Sequence, residues 1–284
     1  MERLLVLGTA SLSTIKVGFQ STIAKNGIKQ VKDSLFFIML IFLSASLLFI
    51  PYIFNTPLLL WAYAGAYALC NTIFQLSYTL AISKGNVSLS AMFASFGIII
   101  PITLSVLIAG EDIETIRLIG LVVMAFAFIC TLKPSKTGGG GFNLPLAIMC
   151  LLANGMGLTV QRVFVVAMPQ VNIFSFVSAS YLLSAMICGS IVGILALKGK
   201  KPSIITGKAV GAAACSGIAL SLHLALNTYQ GKVLDASFQF PVNSGLNIIF
   251  ITVMGICVFK DKLTKRQLIA CILGFIAIVL INIR

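Results

Sequence analysis

The sequence predicts an all-α integral membrane protein of ten transmembrane helices, arranged as two five-helix inverted repeats. Three observations lead there. Of 284 residues, 59% are hydrophobic and only 10% charged, with a mean hydropathy of +1.07; soluble domains carry about 25% charged residues. So much apolar surface calls for lipid as the solvent, where each backbone polar group has to be satisfied inside a helix or a closed barrel. Cutting at polar and Gly/Pro breaks gives ten apolar segments of spanning length. The second half also lies over the first at a shift of 150 residues.

The spans run over 4–22, 34–54, 57–80, 87–109, 115–132, 144–166, 173–197, 209–229, 236–258 and 267–282. The first begins at "MERLLVLGTA", whose apolar core Leu4 to Leu7 is too short for a cleaved signal peptide, so it is expected to be retained. Short connections separate the next four: "KNGIKQVKD", "NT", "KGN" and "GEDIET". The longest connection, "KPSKTGGGGFN", is residues 133–143. It lacks GxxxxGK[ST] and reads as a flexible linker, not a phosphate loop. The last five spans are joined by "PQVN", "KGKKPSIITGK", "GKVLD" and "KDKLTKR". The expected units are therefore 1–132, the linker 133–143, and 144–284.

The repeat shows best at the ends of the halves, where "GEDIETIRLIGLVVMAFAFICTL" lies over "KDKLTKRQLIACILGFIAIVLIN". Leu118 matches Leu268, Ile119 matches Ile269, and Ala127 matches Ala277. Five spans is an odd number, so the second half enters the membrane upside down relative to the first. Inverted repeats are a transporter plan, with cargo bound at the midplane between halves.

The net charge of +13 lies in short connections and not on one basic face, so no nucleic-acid partner is expected. Connections after spans 1, 3, 5, 7 and 9 hold fourteen Lys and Arg; the termini and other connections hold Arg3, Arg117, Lys232 and Arg284. The positive-inside rule then puts both termini outside. Seven cysteines, all in apolar segments and without a CxxC pair, read as small hydrophobes, with no metal or cofactor implied.

All seven acids fall in connections or at span ends, which leaves no membrane-embedded carboxylate for a cation/proton antiporter. The spans carry amides, one imidazole and two cations instead. Gln239, Asn243 and Asn247 form one stripe in span 9, with Pro241 and Gly245 expected to loosen the helix among them. His223 and Asn227 are four apart in span 8, with Ser216 on the same side, and Asn71 and Gln75 are four apart in span 3. Such stripes face a water-filled cavity or another helix; interhelical hydrogen bonding is the competing role. Gly189-xxx-Gly193 and Ala213-xxx-Gly217 read as close helix packing.

Lys16 and Arg162 occupy similar places in spans 1 and 6 at a shift of 146, with Gln20 one turn beyond Lys16. A cation at the bilayer centre costs on the order of 3 kcal/mol or more. At 1.5 Å per residue Lys16 lies about 9 Å and Arg162 about 6 Å from its span end, within reach of the headgroups by snorkelling. The alternative is that both guard opposite mouths of one cavity, which favours an anionic cargo.

The stretch "SYTLAISKGNVSLSAMFASFGIIIPITLSVLIAGEDIETIRLIGLVVMAFAF" resembles the end of a repeat of the drug/metabolite transporter superfamily, EamA-like branch. Gly110-Glu111 and Ile119-Gly120 match its pattern. "NSGLNIIFITVMGICVFKDKLTKRQLIACILGFIAIVLIN" is similar to the second copy, with Lys-Asp in place of Gly-Glu. Lys16 falls where many EamA-like members have a first-helix lysine. The resemblance implies ten helices in two inverted repeats and secondary transport by alternating access. The first-helix glutamate of small multidrug-resistance proteins is missing, which disfavours polycation efflux. Many ten-helix members are drawn with cytoplasmic termini, the reverse of the charge count here.

The expected function is thus a multi-pass secondary transporter of the cell membrane that moves a small polar metabolite, anionic if Lys16 and Arg162 guard the cavity, by alternating access, as an exporter. Its candidate binding residues are Lys16, Gln20, Asn71, Gln75, Arg162, His223, Asn227, Gln239, Asn243 and Asn247. Its partners are the small-molecule substrate and the lipid bilayer, with coupling to a proton or a counter-substrate left open, as is oligomeric state. Efflux of lipophilic compounds through an aromatic-walled cavity is the alternative. A passive channel stands behind both, separable from a carrier by saturable counterflow, as does a membrane-embedded enzyme, for which HExxH, GxSxG and an intramembrane acid pair are missing.

Overall fold

The computed structural model describes residues 5–101, 103–104, 115–131, 144–234, 236–261 and 263–282. The linker 133–143, the Gly110-Glu111 pair and the termini at Arg3 and Arg284 lie outside the described residues. Among the described residues all regular structure is helical. The elements are α1 (Leu5–Gly27), α2 (Val31–Leu47), a 3-10 turn (Ile50–Ile53), α3 (Leu58–Lys84), α4 (Val87–Phe96), α5 (Thr115–Thr131), α6 (Leu144–Ala167), α7 (Ile173–Leu197), α8 (Gly207–Val233), α9 (Ala236–Cys257) and α10 (Lys265–Asn282). Among the described residues, α6, α7 and α8 are long and apolar enough to cross a membrane.

Apolar run length misjudges several ends. The segment expected over 34–54 divides, because Pro51 cannot continue α2 and opens the 3-10 turn. Helices α1, α3 and α8 run past their apolar stretches through Lys25, Lys84 and Lys232, and the long stems of Lys25 and Lys232 reach polar partners at helix ends. Local chemistry fixes other boundaries. Asn172 Oδ1 accepts from Phe174 N at 2.9 Å to start α7, and Thr206 Oγ1 accepts from Ala209 N at 3.2 Å to start α8. Thr264 and Gln267 form a reciprocal capping box at α10. Gly199, at φ +74°, closes α7 with Lys200 N donating to Leu195 O and Gly199 N to Ala196 O.

The main packing partners cross the middle of the sequence: α1 with α8, α2 with α7, α3 with α6, α4 with α9, and α5 with α10. Further contacts join α2 to α8, α3 to α7, α1 to α9 and α4 to α6. The bundle is inside out by the standard of a soluble domain. Gln20, Thr228 and Gln230 are 0% exposed, while Leu58 and Leu197 on the outer surface are 86% and 91% exposed. Long apolar helices and an apolar exterior are the pattern of a membrane protein.

Helix ends meet on two opposite faces. On one, Lys25 Nζ at the end of α1 pairs with Asp261 Oδ1 at 2.7 Å, and Asp261 Oδ2 accepts from Ser88 N and Oγ at 3.0 Å at the start of α4. Asp33 Oδ1, in the first turn of α2, accepts from Ser203 N at 2.7 Å and Ser203 Oγ at 2.9 Å. The connections after α1, α3, α7 and α9 therefore share this face. On the other, Lys232 Nζ donates to Pro169 O at 2.7 Å and Ser175 Oγ to Tyr52 O at 2.5 Å. Asp261→Ala removes both the ion pair and the cap on α4, and is expected to cost about 1–3 kcal/mol, read as a lower melting temperature in detergent. Lys25→Ala should cost less, because its side chain is 25% exposed and stays partly hydrated.

The two small-residue motifs behave differently. A Cβ on Gly217 would press on Ser44 Oγ, Ile41 O and Ala45 N, and Ser44 Oγ donates to Ala213 O at 3.2 Å, so α8 and α2 touch backbone to backbone here. Gly189 meets only Met39, and Gly193 has nothing within 4 Å, so close packing is not what occupies the second glycine. Gly217→Ala is expected to destabilise by about 1–3 kcal/mol through overpacking. Gly193→Ala should leave the melting temperature unchanged or raise it through helix propensity.

Candidate functional site

Between the helices lies a cavity of about 100 Å³, lined from α1, α3, α4, α6, α8 and α9. Its polar wall holds Lys16, Asn154, His223, Asn227, Asn243 and Asn247, with the hydroxyls of Ser13, Ser95 and Ser244; its apolar wall holds Phe74, Tyr78 and Phe240. Helical spacing explains the grouping: Ser13 and Lys16 share one face of α1, His223 and Asn227 one face of α8, and Asn243 and Asn247 one face of α9.

Lys16 is 6% exposed, so it does not snorkel to the outside. Its Nζ stands 5.6 Å from the Phe74 ring centroid and 5.5 Å from that of Tyr78, within cation–π range. Among the described residues no carboxylate pairs with it. The site thus holds an ammonium steadied by two rings and, among the described residues, without a counter-charge.

Beside the cavity runs a chain of amides. Gln161 Nε2 donates to Thr228 Oγ1 at 2.8 Å, and Asn227 Nδ2 to Gln161 Oε1 at 3.1 Å. Asn227 Oδ1 accepts from Gln239 Nε2 and Asn243 Nδ2, both at 2.9 Å. Asn243 Nδ2 also donates to Gln230 Oε1 at 2.9 Å, and Gln230 Nε2 to Thr9 Oγ1 at 2.6 Å. His223 Nδ1 lies 3.0 Å from Thr9 O. This chain joins α6, α8, α9 and α1, so the same stripes both line a chamber and bind helices together.

Half of the candidate residues come together on the cavity: Lys16, His223, Asn227, Asn243 and Asn247. Gln239 sits behind them, bonded to Asn227. Gln20 and Gln75 form a separate buried group on α1 and α3, where Gln20 Nε2 donates to Gln75 Oε1 at 3.2 Å and to Thr79 Oγ1 at 2.7 Å. Asn71 is buried away from the cavity lining, its Nδ2 without a partner among the described residues. Arg162 Nη1 donates to Gly231 O at 2.6 Å, holding a carbonyl in the last turn of α8, where the helix dipole favours a cation. It lies off the cavity, so the two cations are not placed alike.

Sequence reasoning passed over Asn154 and the aromatic wall. Asn154 Nδ2 donates to Ala94 O at 2.8 Å, where α4 breaks into a turn at Gly97. Gly97 and Gly155 bring the α4 and α6 backbones so close that a Cβ on either would meet the other's main chain. The available signal was Asn154 standing two turns before Gln161. Helix α9 remains helical through Pro241 and Gly245, so the loosening expected there is not a break.

No protein-family model and no curated protein matches the chain. Twenty-eight solved chains do resemble it. One, described only as "Crystal structure of protein", superposes with a TM-score of 0.67 at 15% identity, covering 98% of this chain and 95% of its own. The likeness is one of fold, extending along the whole chain.

Proposed function

We propose that this chain is a secondary transporter of the EamA-like kind that carries a small anionic metabolite across the cell membrane by alternating access. The observation that carries the proposal is Lys16: a buried ammonium without a carboxylate partner among the described residues, facing a polar chamber between the helices. A permanently unpaired cation costs stability, and an anion passing through supplies the missing charge.

The inverted-repeat plan has its own support. Residues 150 apart have matching environments: Leu118 and Leu268 are 52% and 45% exposed, Ile119 and Ile269 are 49% and 51%, and Ala127 and Ala277 are both 0%. The cross-chain helix pairs are those that exchange of two equivalent five-helix units would produce. Each unit also ties its first helix to its third through a glutamine donating to a threonine, Gln20 to Thr79 and Gln161 to Thr228. The break in α4 beside the cavity agrees with the discontinuous helices of such transporters. A volume of about 100 Å³ is well below the roughly 300–1,000 Å³ of drug-sized sites, which favours a small cargo over bulky lipophiles.

The proposed orientation places the face bearing Lys25 and Asp261 in the cytoplasm, because its connections carry most of the lysines. The test is counterflow in proteoliposomes with acidic, neutral and basic metabolites. Saturable exchange of acidic compounds is the expected result. Exchange confined to neutral or basic compounds would sink the anion reading, and non-saturable flux would indicate a channel.

A further inference from the structure

Two threonines fix the direction of every amide in the chain beside the cavity. Thr9 Oγ1 donates to Leu5 O at 3.0 Å and Thr228 Oγ1 to Leu224 O at 2.7 Å, so each has only acceptor capacity left for an amide. Gln230 has to present Nε2 to Thr9, which turns its Oε1 towards Asn243. Gln161 likewise presents Nε2 to Thr228 and its Oε1 to Asn227. Asn243 is then forced to spend Nδ2 on Gln230 and Asn227, leaving its Oδ1 without a donor at a residue 6% exposed on the cavity wall. Asn247 Oδ1, one turn further along α9, is also buried without a donor. On His223, Nδ1 faces a carbonyl and so carries the proton, which leaves Nε2 of the neutral ring as a lone-pair acceptor. Among the described residues the chamber therefore combines one cation with three neutral acceptors lacking donors.

We infer that the cargo is a small hydroxycarboxylate, its carboxylate taken by Lys16, one hydroxyl hydrogen by Asn247 Oδ1 and a second by Asn243 Oδ1 or His223 Nε2. This rests on the transporter reading above and narrows it. A simple carboxylate satisfies Lys16 but strands the buried acceptors, a large penalty for a site built around hydrogen bonding. A dicarboxylate sets its second anion against lone pairs. An α-amino acid offers donors but adds a second ammonium beside Lys16, with no acid among the described lining residues to balance it.

The experiment is calorimetric titration of the detergent-purified full chain with glycerate, propionate, malonate and alanine, repeated on Asn247→Leu. Asn247 donates to nothing in the amide chain, so its replacement leaves that scaffold in place. Glycerate is expected to bind at least tenfold more tightly than each of the others. In Asn247→Leu the glycerate-to-propionate preference should fall at least threefold. Equal binding of propionate and glycerate, or tighter binding of malonate, overturns the hydroxyl assignment while leaving the anion reading intact; tighter binding of the zwitterion alanine overturns both. An unchanged preference in Asn247→Leu overturns the placement in this cavity. If none of the four binds and the counterflow panel exchanges only neutral or basic compounds, both readings fail together. Should the variant not be monodisperse, the affinity ratios of the native chain decide.

Discussion

Lys16→Gln is expected to reduce exchange of acidic cargo at least a hundredfold, while the protein folds as before. Truncating one side of a buried charge pair typically costs about 2–5 kcal/mol, and each 1.4 kcal/mol is a factor of ten. The stability change should run the other way. Lys16 is 6% exposed and, among the described residues, is compensated only by the Phe74 and Tyr78 rings; cation–π contacts are worth roughly 0.5–2 kcal/mol each. Lys16→Met keeps the length of the stem without the charge, and it should raise the melting temperature as it abolishes transport. Those two readouts moving in opposite directions mark a binding residue. A fall in both would make Lys16 a structural residue and remove the main support for an anionic cargo.

Asn227→Leu is the second large effect, with the opposite signature. Asn227 is the hub of the amide chain, donating to Gln161 and accepting from Gln239 and Asn243. Its loss strands Gln161 Oε1 outright and takes one of two acceptors each from Gln239 and Asn243, which keep Asn227 O and Gln230 Oε1. A stranded buried group costs about 1–3 kcal/mol, and interhelical hydrogen bonds in membrane proteins average about 0.6 kcal/mol. The expected total is about 2–4 kcal/mol, seen as a lower melting temperature and poorer recovery in detergent. Asn247→Leu should cost little or nothing, since Asn247 Oδ1 has no donor to lose. Equal destabilisation by the two substitutions would contradict the division between hub and open acceptor.

The sequence by itself determined that the chain is helical and suited to lipid, because composition and apolar run length are local properties that any 20-residue window displays. It also determined which polar residues sit within the apolar runs, and that spans 8 and 9 carry them in stripes. It could not determine which side of each helix faces which neighbour. His223, Asn227, Asn243 and Asn247 meet Lys16 only because α1 packs against both α8 and α9, a contact between residues some two hundred positions apart. Arg162 and Lys16 looked equivalent because both interrupt a first span, yet one binds a backbone carbonyl at a helix end and the other stands among aromatic rings with no carboxylate partner among the described residues. The aromatic wall was invisible for a related reason: Phe74, Tyr78 and Phe240 read as ordinary packed aromatics within apolar runs, and only packing shows that a cavity opens beside them. Direction along the amide chain was equally out of reach. An amide's free end depends on what its partner has already spent, and only tertiary contacts decide who those partners are.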